Sequence, residues 1–222
     1  LDTMLDRSRA ALAVDTIDCY YVHNPETQLA ENSRAAVYDQ LQAAFERLER
    51  AIDEGRIGAY GVASWDAFRV PPTHEKHLAL ADVVARAEAA AEAVGRDPGE
   101  HGLGAIQLPF NVHMADAFTA DHHEDRATGE SISALRFAEQ EGLSVVASAS
   151  VLQGELADGL PAEIGAELEG ESAVQRAINF ARSAPAVTTA LVGTSNPEHV
   201  RENLAAGTFD PLGAAAFDAV FE

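Results

Sequence analysis

A histidine, an asparagine and a proline close a short apolar run: Ile17-Asp18-Cys19-Tyr20-Tyr21-Val22-His23-Asn24-Pro25. The run suits a buried strand of a parallel sheet. Pro25 cannot continue a central strand, so the chain must leave the sheet there. His23 is thereby held on a rigid element where a strand opens into a loop. An imidazole so placed can donate a hydrogen bond to a substrate oxygen or carry a proton. It can equally cap a strand end, and the motif alone does not separate the two. The other chemistry-bearing side chains also sit where apolar runs stop. They are Ser64-Trp65, Gln107, Ser148, and Thr194-Ser195-Asn196.

The elements that must position them follow a rhythm of strand, loop, helix, glycine, strand. Strands are expected at residues 17–22, 57–62, 105–108, 143–147 and 187–192. Helices are expected at residues 1–13, 33–54, 75–94, 131–141, 172–183 and 197–206. In the second helix Val37, Leu41, Phe45, Leu48 and Ile52 recur at three- and four-residue steps, and Gly55 follows as a stop. Pro197 suits the first turn of the last helix. Each strand reads as apolar throughout and so as covered on both faces. Each ends in small or polar residues, as in a (β/α) barrel whose site lies at the strand C-terminal ends. A doubly wound open sheet competes, but no Gly-x-Gly-x-x-Gly turn follows a strand. The expected fold class is α/β, a (β/α)8 barrel left incomplete with about five parallel strands. A barrel of this kind needs eight strands. We expect residues 1–222 to form one domain whose first three βα units are absent from this sequence.

Composition narrows the partners. The 222 residues carry 36 acids against 15 bases, a formal net charge of −21, and Lys76 is the only lysine. Such a charge repels nucleic acid and anionic membranes, and neither is expected as a partner. It also strains the compact state unless salt screens it, which points to a halophilic, acidic protein. No apolar run is long enough to span a bilayer and no secretory signal is visible. The single cysteine, Cys19, reads as a small core hydrophobe in a reducing cytoplasm. His122, His123 and Glu124 sit in what reads as one polar loop, too little for a metal site. His74, His77, His101 and His113 read as loop or surface histidines.

Taken in order, the strand ends resemble a family. The run from Ile17 to Pro25 is similar to the fourth-strand motif of the aldo-keto reductases. Gly55-Arg56-Ile57 with Gly61-Val62-Ala63-Ser64-Trp65 resembles their fifth strand, and Gln107 with Phe110-Asn111 their sixth. Val145-Val146-Ala147 with Gln153-Gly154 resembles the seventh. Ala190 to Asn203, containing Gly193-Thr194-Ser195-Asn196-Pro197, resembles the eighth strand and the cofactor-binding helix after it.

This resemblance implies an oxidoreductase that reduces aldehydes or ketones by hydride transfer from NADP(H) or NAD(H), with a small carbonyl compound as substrate. It implies that His23 is the histidine of a catalytic aspartate–tyrosine–lysine–histidine tetrad, hydrogen-bonding the carbonyl oxygen. The other three belong to strands not found here. It assigns Gln107 to the nicotinamide carboxamide and Glu202 and Asn203 to adenine. It also places Ser64, Ser148, Gly193, Thr194, Ser195 and His199 along the cofactor, and Asn24 and Trp65 at the substrate pocket. Five positions depart from the family pattern. Ala63-Ser64 replaces Ser-Asn, Ser148 replaces the stacking tyrosine, and Gly193 and His199 replace the lysine and arginine that grip a 2′-phosphate. An imidazole is a poor substitute for a guanidinium. The alternative reading is a non-catalytic nucleotide-binding or regulatory relative that needs a partner. Self-association through an open sheet edge is expected in either case.

Overall fold

The structure is a computed structural model and describes residues 1–221. Its elements in chain order begin with α1 (Asp2–Leu12), β1 (Ile17–His23), α2 (Arg34–Asp53), β2 (Ile57–Ala63), α3 (Leu80–Ala93) and β3 (Leu103–Pro109). Then come α4 (Asp116–Thr119), a two-stranded hairpin of β4 (His123–Glu124) and β5 (Ser131–Ile132), α5 (Ala134–Gln140) and β6 (Ser144–Ser148). The chain continues through α6 (Ala162–Glu167), α7 (Ala173–Ser183), β7 (Val187–Ala190), α8 (Pro197–Ala205) and α9 (Ala214–Asp218).

The main sheet is parallel, in the order β1-β2-β3-β6-β7. Sequential strands lie side by side, as successive βα units must when each crossover packs on the same face. Five strands of a (β/α)8-type barrel are present and the sheet is not closed.

The core lies between the helices and one face of this sheet. Tyr60, Val62, Ile106, Leu108, Val145 and Ala147 meet Leu41, Phe45 and Leu48 of α2, Val83 and Ala87 of α3, Leu135 of α5 and Phe180 of α7. Each large apolar side chain so buried contributes about 1.5–3 kcal/mol. The opposite face carries Tyr21 and His23, Gly61 and Ala63, Gln107 and Val146, aligned by register. A Cβ on Gly61 would stand 2.6 Å from Tyr21 Cε1 and 2.7 Å from the Ala105 carbonyl oxygen. Only glycine lets the Tyr21 ring lie over β2.

Several sequence expectations need correction. β1 and β7 are edges, so their apolar runs are not covered on both faces. Cys19 is half-buried, His23 is exposed, and Thr188 and Thr189 are exposed. β7 ends at Ala190, leaving Leu191 and Val192 outside the strand. The third helix starts at Leu80 rather than 75, because Leu78 and His77 are drawn into the core as a loop. The stretch read as a polar loop around His122 to Glu124 holds α4 and β4, and β5 takes the start of the helix expected at 131–141, which begins at Ala134. α9 was not legible, although its Phe217 is fully buried against Phe110, Phe118 and Phe180. No helix among the described residues is long and apolar enough to cross a membrane.

The end of α1 provides a test of local strain. Ala13 takes φ 55° and ψ 43°, and its N–H and that of Val14 turn back to Ala10 and Arg9 carbonyls. This left-handed C-terminal position favours glycine. Ala13→Gly is expected to raise stability by about 0.5–1 kcal/mol in urea unfolding.

Candidate functional site

The register places four site positions on one line across the open face. His23 pairs with Ala63, Ala63 with Gln107, and Gln107 with Val146. Partners in parallel strands share a face, so His23 and Gln107 point the same way. They are two strand spacings apart, or about 9.5 Å. The small Ala63 between them leaves the space above it open. Tyr21 precedes His23 by two residues and shares its face. Burial pushes its phenol well above the ordinary range, with Cys19 a lesser cause, so it is a poor proton donor at neutral pH.

The chain leaves β1 through Asn24, held at φ 48° and ψ 54°. Its N–H donates to the Ala63 carbonyl at 2.6 Å. Asparagine tolerates this left-handed geometry better than most residues. His23 and Asn24 line a recess of about 220 Å³ with Pro25, Gln28 and Leu41. Trp65 stands 41% exposed at the end of β2.

One residue at this mouth escaped the sequence reading. Glu26 is 2% exposed. Its Oε1 accepts hydrogen bonds from Ser64 Oγ at 2.8 Å, Trp65 N at 2.9 Å and Asp66 N at 3.1 Å. Its Oε2 is buried with no hydrogen-bond partner. Ser64 Oγ in turn accepts from Ala67 N at 2.7 Å. The carboxylate thus ties the loop after β1 to the loop after β2. The signal was available in the acid that directly follows Pro25, at the first turn of a short 3-10 helix (Pro25–Ala30). Ser64, assigned by resemblance to the cofactor, is 5% exposed and its one donor is already engaged by Glu26. The Ser64 hydroxyl thus braces the loop through Glu26. Just outside, the Lys76 ammonium meets Asp66 at 2.7 Å, and this contact raises it above its ordinary range.

A second, larger space lies at the other end of the sheet. A cavity of about 720 Å³ is walled by the loop after β6, the start of α7, the segment after β7, and α8. Its lining includes Gly193, Thr194, His199, Glu202 and Asn203. Ser195 is next in the chain to Thr194 but does not line it. Ser148 ends β6 next to the lining residue Ala149, and Gln107 lies one strand further in, on β3; both are half-buried. The structure therefore collects five of the assigned cofactor residues in one place and keeps His23, Asn24 and Trp65 at the opposite edge. Part of the wall is conformationally strained. Ala149, Leu152 and Gln153 all have positive φ, at 53°, 46° and 55°. Left-handed non-glycine residues concentrated in one loop mark a segment shaped by its site.

His123, read as part of a polar loop, and His77, read as a loop or surface histidine, are instead buried. His77 and His123 are each 4% exposed, with ring centroids 5.4 Å apart. His123 Nε2 lies 3.0 Å from the Phe68 carbonyl, and its Nδ1 accepts from Leu80 N at 3.3 Å. His77 Nδ1 lies 2.9 Å from the Val70 carbonyl. Their nitrogens pin the loop before α3 to the hairpin.

Comparison with known proteins agrees with the fold. Residues 1–85 match the model of the Aldo/keto reductase family. No curated protein matches the chain. Solved structures match nearly all of it. An aldo/keto reductase from Klebsiella pneumoniae in complex with NADP and acetate is 20% identical with a TM-score of 0.60, covering 97% of this chain and 62% of that one. An aldo-keto reductase from Bacillus halodurans in its holo form is 19% identical, with a TM-score of 0.56 and coverages of 97% and 64%. A thermostable aldo-keto reductase in complex with the inhibitor epalrestat is 17% identical, with a TM-score of 0.59 and coverages of 97% and 62%. The chain thus spans less than two thirds of the length of these structures. The fold is that of five βα units of a (β/α)8-type architecture. The chain resembles the aldo-keto reductases, in sequence over its first 85 residues and in fold over nearly its whole length.

Proposed function

We propose that this chain carries the cofactor side of an NAD(P)H-dependent oxidoreductase that reduces an aldehyde or ketone. The observation that carries the reading is the placement of His23 and Gln107 at one level of the open face, with the cavity of Thr194, Glu202 and Asn203 at its far edge. The cavity fits part of a dinucleotide in size, since ligand sites run to about 300–1,000 Å³. Its donors fit as well. They are the Thr194 hydroxyl and the Asn203 amide.

A bound nicotinamide cofactor would supply hydride to the carbonyl carbon. Gln107 would hold the carboxamide with its own amide, which both donates and accepts. His23 would donate a hydrogen bond to the carbonyl oxygen, where charge gathers as the carbon is reduced. Asn24 and Trp65 would border the substrate. Glu26 would keep the loops on either side of His23 in register without touching the substrate. A carbonyl compound is then the partner, and the −21 charge disfavours nucleic acid and anionic membranes. The unpaired edges of β1 and β7 favour self-association, which sedimentation would reveal.

A second reading, nucleotide binding without turnover, is supported by the recess itself. Its lining includes His23 but no tyrosine or lysine. One experiment separates the two. Calorimetric titration with NADH and NADPH is expected to show saturable, one-to-one binding, and hydride transfer to a panel of small aldehydes is then assayed on the same sample. Binding with turnover supports the reductase. Binding alone supports the second reading. A folded chain that binds neither dinucleotide overturns both.

A further inference from the structure

We infer that the cavity selects a dinucleotide with a free adenosine 2′-hydroxyl over its 2′-phosphorylated counterpart, that is, NAD(H) over NADP(H). The inference rests on the dinucleotide reading of this cavity. Of the side chains that line it, Glu202 is the only carboxylate, and neither lysine nor arginine is among them. His199 is the one basic ring. The nearby arginines do not reach the lining. Arg201 is exposed on α8. Arg182 Nη1 is engaged by the Ala206 carbonyl at 2.6 Å and the Phe209 carbonyl at 3.3 Å. Arg176 packs on Gly170, at a separate recess.

The two dinucleotides share their pyrophosphate, so whatever that group gains or loses cancels between them. They differ by one phosphomonoester with about 1.5–2 negative charges. That charge enters a cavity with no guanidinium or ammonium to receive it, on a chain whose net charge is already −21. Phosphate is held best by bidentate arginine or by lysine. A ribose diol, by contrast, offers two O–H donors. An ionised carboxylate only accepts, so Glu202, which the resemblance places at the adenosine end, can accept from a diol there and repels a phosphate. The inference takes the adenosine end to lie in this cavity, where the resemblance places Glu202 and Asn203.

The position of Gly193 makes the inference reversible by design. A Cβ there would meet nothing within 4 Å, and the residue has no positive φ. A long cationic side chain can be added without moving the wall. The test is calorimetric titration of the chain with NADH and NADPH at about pH 8. Paired runs use roughly 0.1 M and roughly 2 M KCl. NADH is expected to bind at least about tenfold more tightly at low salt. The ratio should shrink at high salt, since the penalty is Coulombic. Gly193→Lys should tighten NADPH and leave NADH nearly unchanged. Glu202→Gln should weaken NADH and ease NADPH. Equal affinities, or tighter NADPH, in the unsubstituted chain would overturn the preference while leaving the dinucleotide site standing. Binding of neither would overturn the site and the preference together.

Discussion

Glu26→Ala is expected to lower the unfolding free energy by about 3–4 kcal/mol and to release the two strand ends it ties together. The carboxylate is buried and Oε1 alone accepts from Ser64 Oγ, Trp65 N and Asp66 N. Hydrogen bonds to a charged acceptor contribute more than neutral ones, about 1.5–3 kcal/mol each. They are not additive here, because all three share one oxygen. Alanine leaves two backbone N–H groups and a hydroxyl without their acceptor. Glu26→Gln keeps a carbonyl oxygen at the same reach, and its loss should be nearer about 1–2 kcal/mol. Urea unfolding followed through Trp65, the only tryptophan, measures both stability and the local change. The alanine variant should also shift Trp65 emission in the folded state, and the glutamine variant should restore it. Equal stability of alanine and glutamine variants would mean that Glu26 does not brace the mouth. Because Glu26 sits between the His23 loop and the Ser64 loop, its loss should also weaken any ligand that needs both.

The second large effect is acid sensitivity from His123. Burial pushes this imidazole down from its ordinary value to about 4, and neighbouring His77 and His122 add to the shift against the Phe68 hydrogen bond. His77 is also lowered, mainly by burial. In the native state His123 is satisfied only when neutral, with Nε2 donating to the Phe68 carbonyl and Nδ1 accepting from Leu80 N. A second ring proton would confront the Leu80 N–H donor. The folded value lies below the unfolded value of about 6.5, so the unfolded chain binds more protons in between. The contribution is therefore complete above about pH 6.5 and is lost as the pH falls toward about 4, amounting to about 3 kcal/mol. His123→Phe removes the titration. It leaves the Phe68 carbonyl and Leu80 N–H unpaired, so it should be less stable near neutrality by about 1–3 kcal/mol. Toward pH 4 the two proteins should converge. Urea unfolding at a series of pH values measures this, and the difference between the proteins cancels the relief of acidic self-repulsion common to both. Parallel pH curves would show that the pair is not the acid-sensitive latch.

Local chemistry accounts for how much of this molecule was readable beforehand. The amphipathic run from Val37 to Leu48 could only be a helix, and Pro25 and Pro197 could only end a strand and open a helix. Such signals act within a few residues, so α2, β1 and α8 followed from the sequence by itself. The order of five βα units did as well, since parallel neighbours need crossovers of this length. The polar side chains near strand ends were equally legible, because His23, Gln107 and Thr194 each interrupt an apolar run.

Neighbours distant in the chain decided the rest. Whether β1 and β7 are buried depends on what lies beside them, and their composition alone does not say. His77 and His123 looked solvent-exposed because their partners, the Phe68 and Val70 carbonyls and Leu80 N–H, belong to a loop that only tertiary packing folds over them. Phe217 joins the core through Phe110 and Phe180, more than thirty residues away. Glu26 reads as an ordinary acid until Ser64, Trp65 and Asp66 arrive from the next strand. The sequence by itself determined which elements form and which side chains stand at their ends. Tertiary structure decided burial, proton affinity and which polar groups meet, since these depend on atoms brought together across the chain.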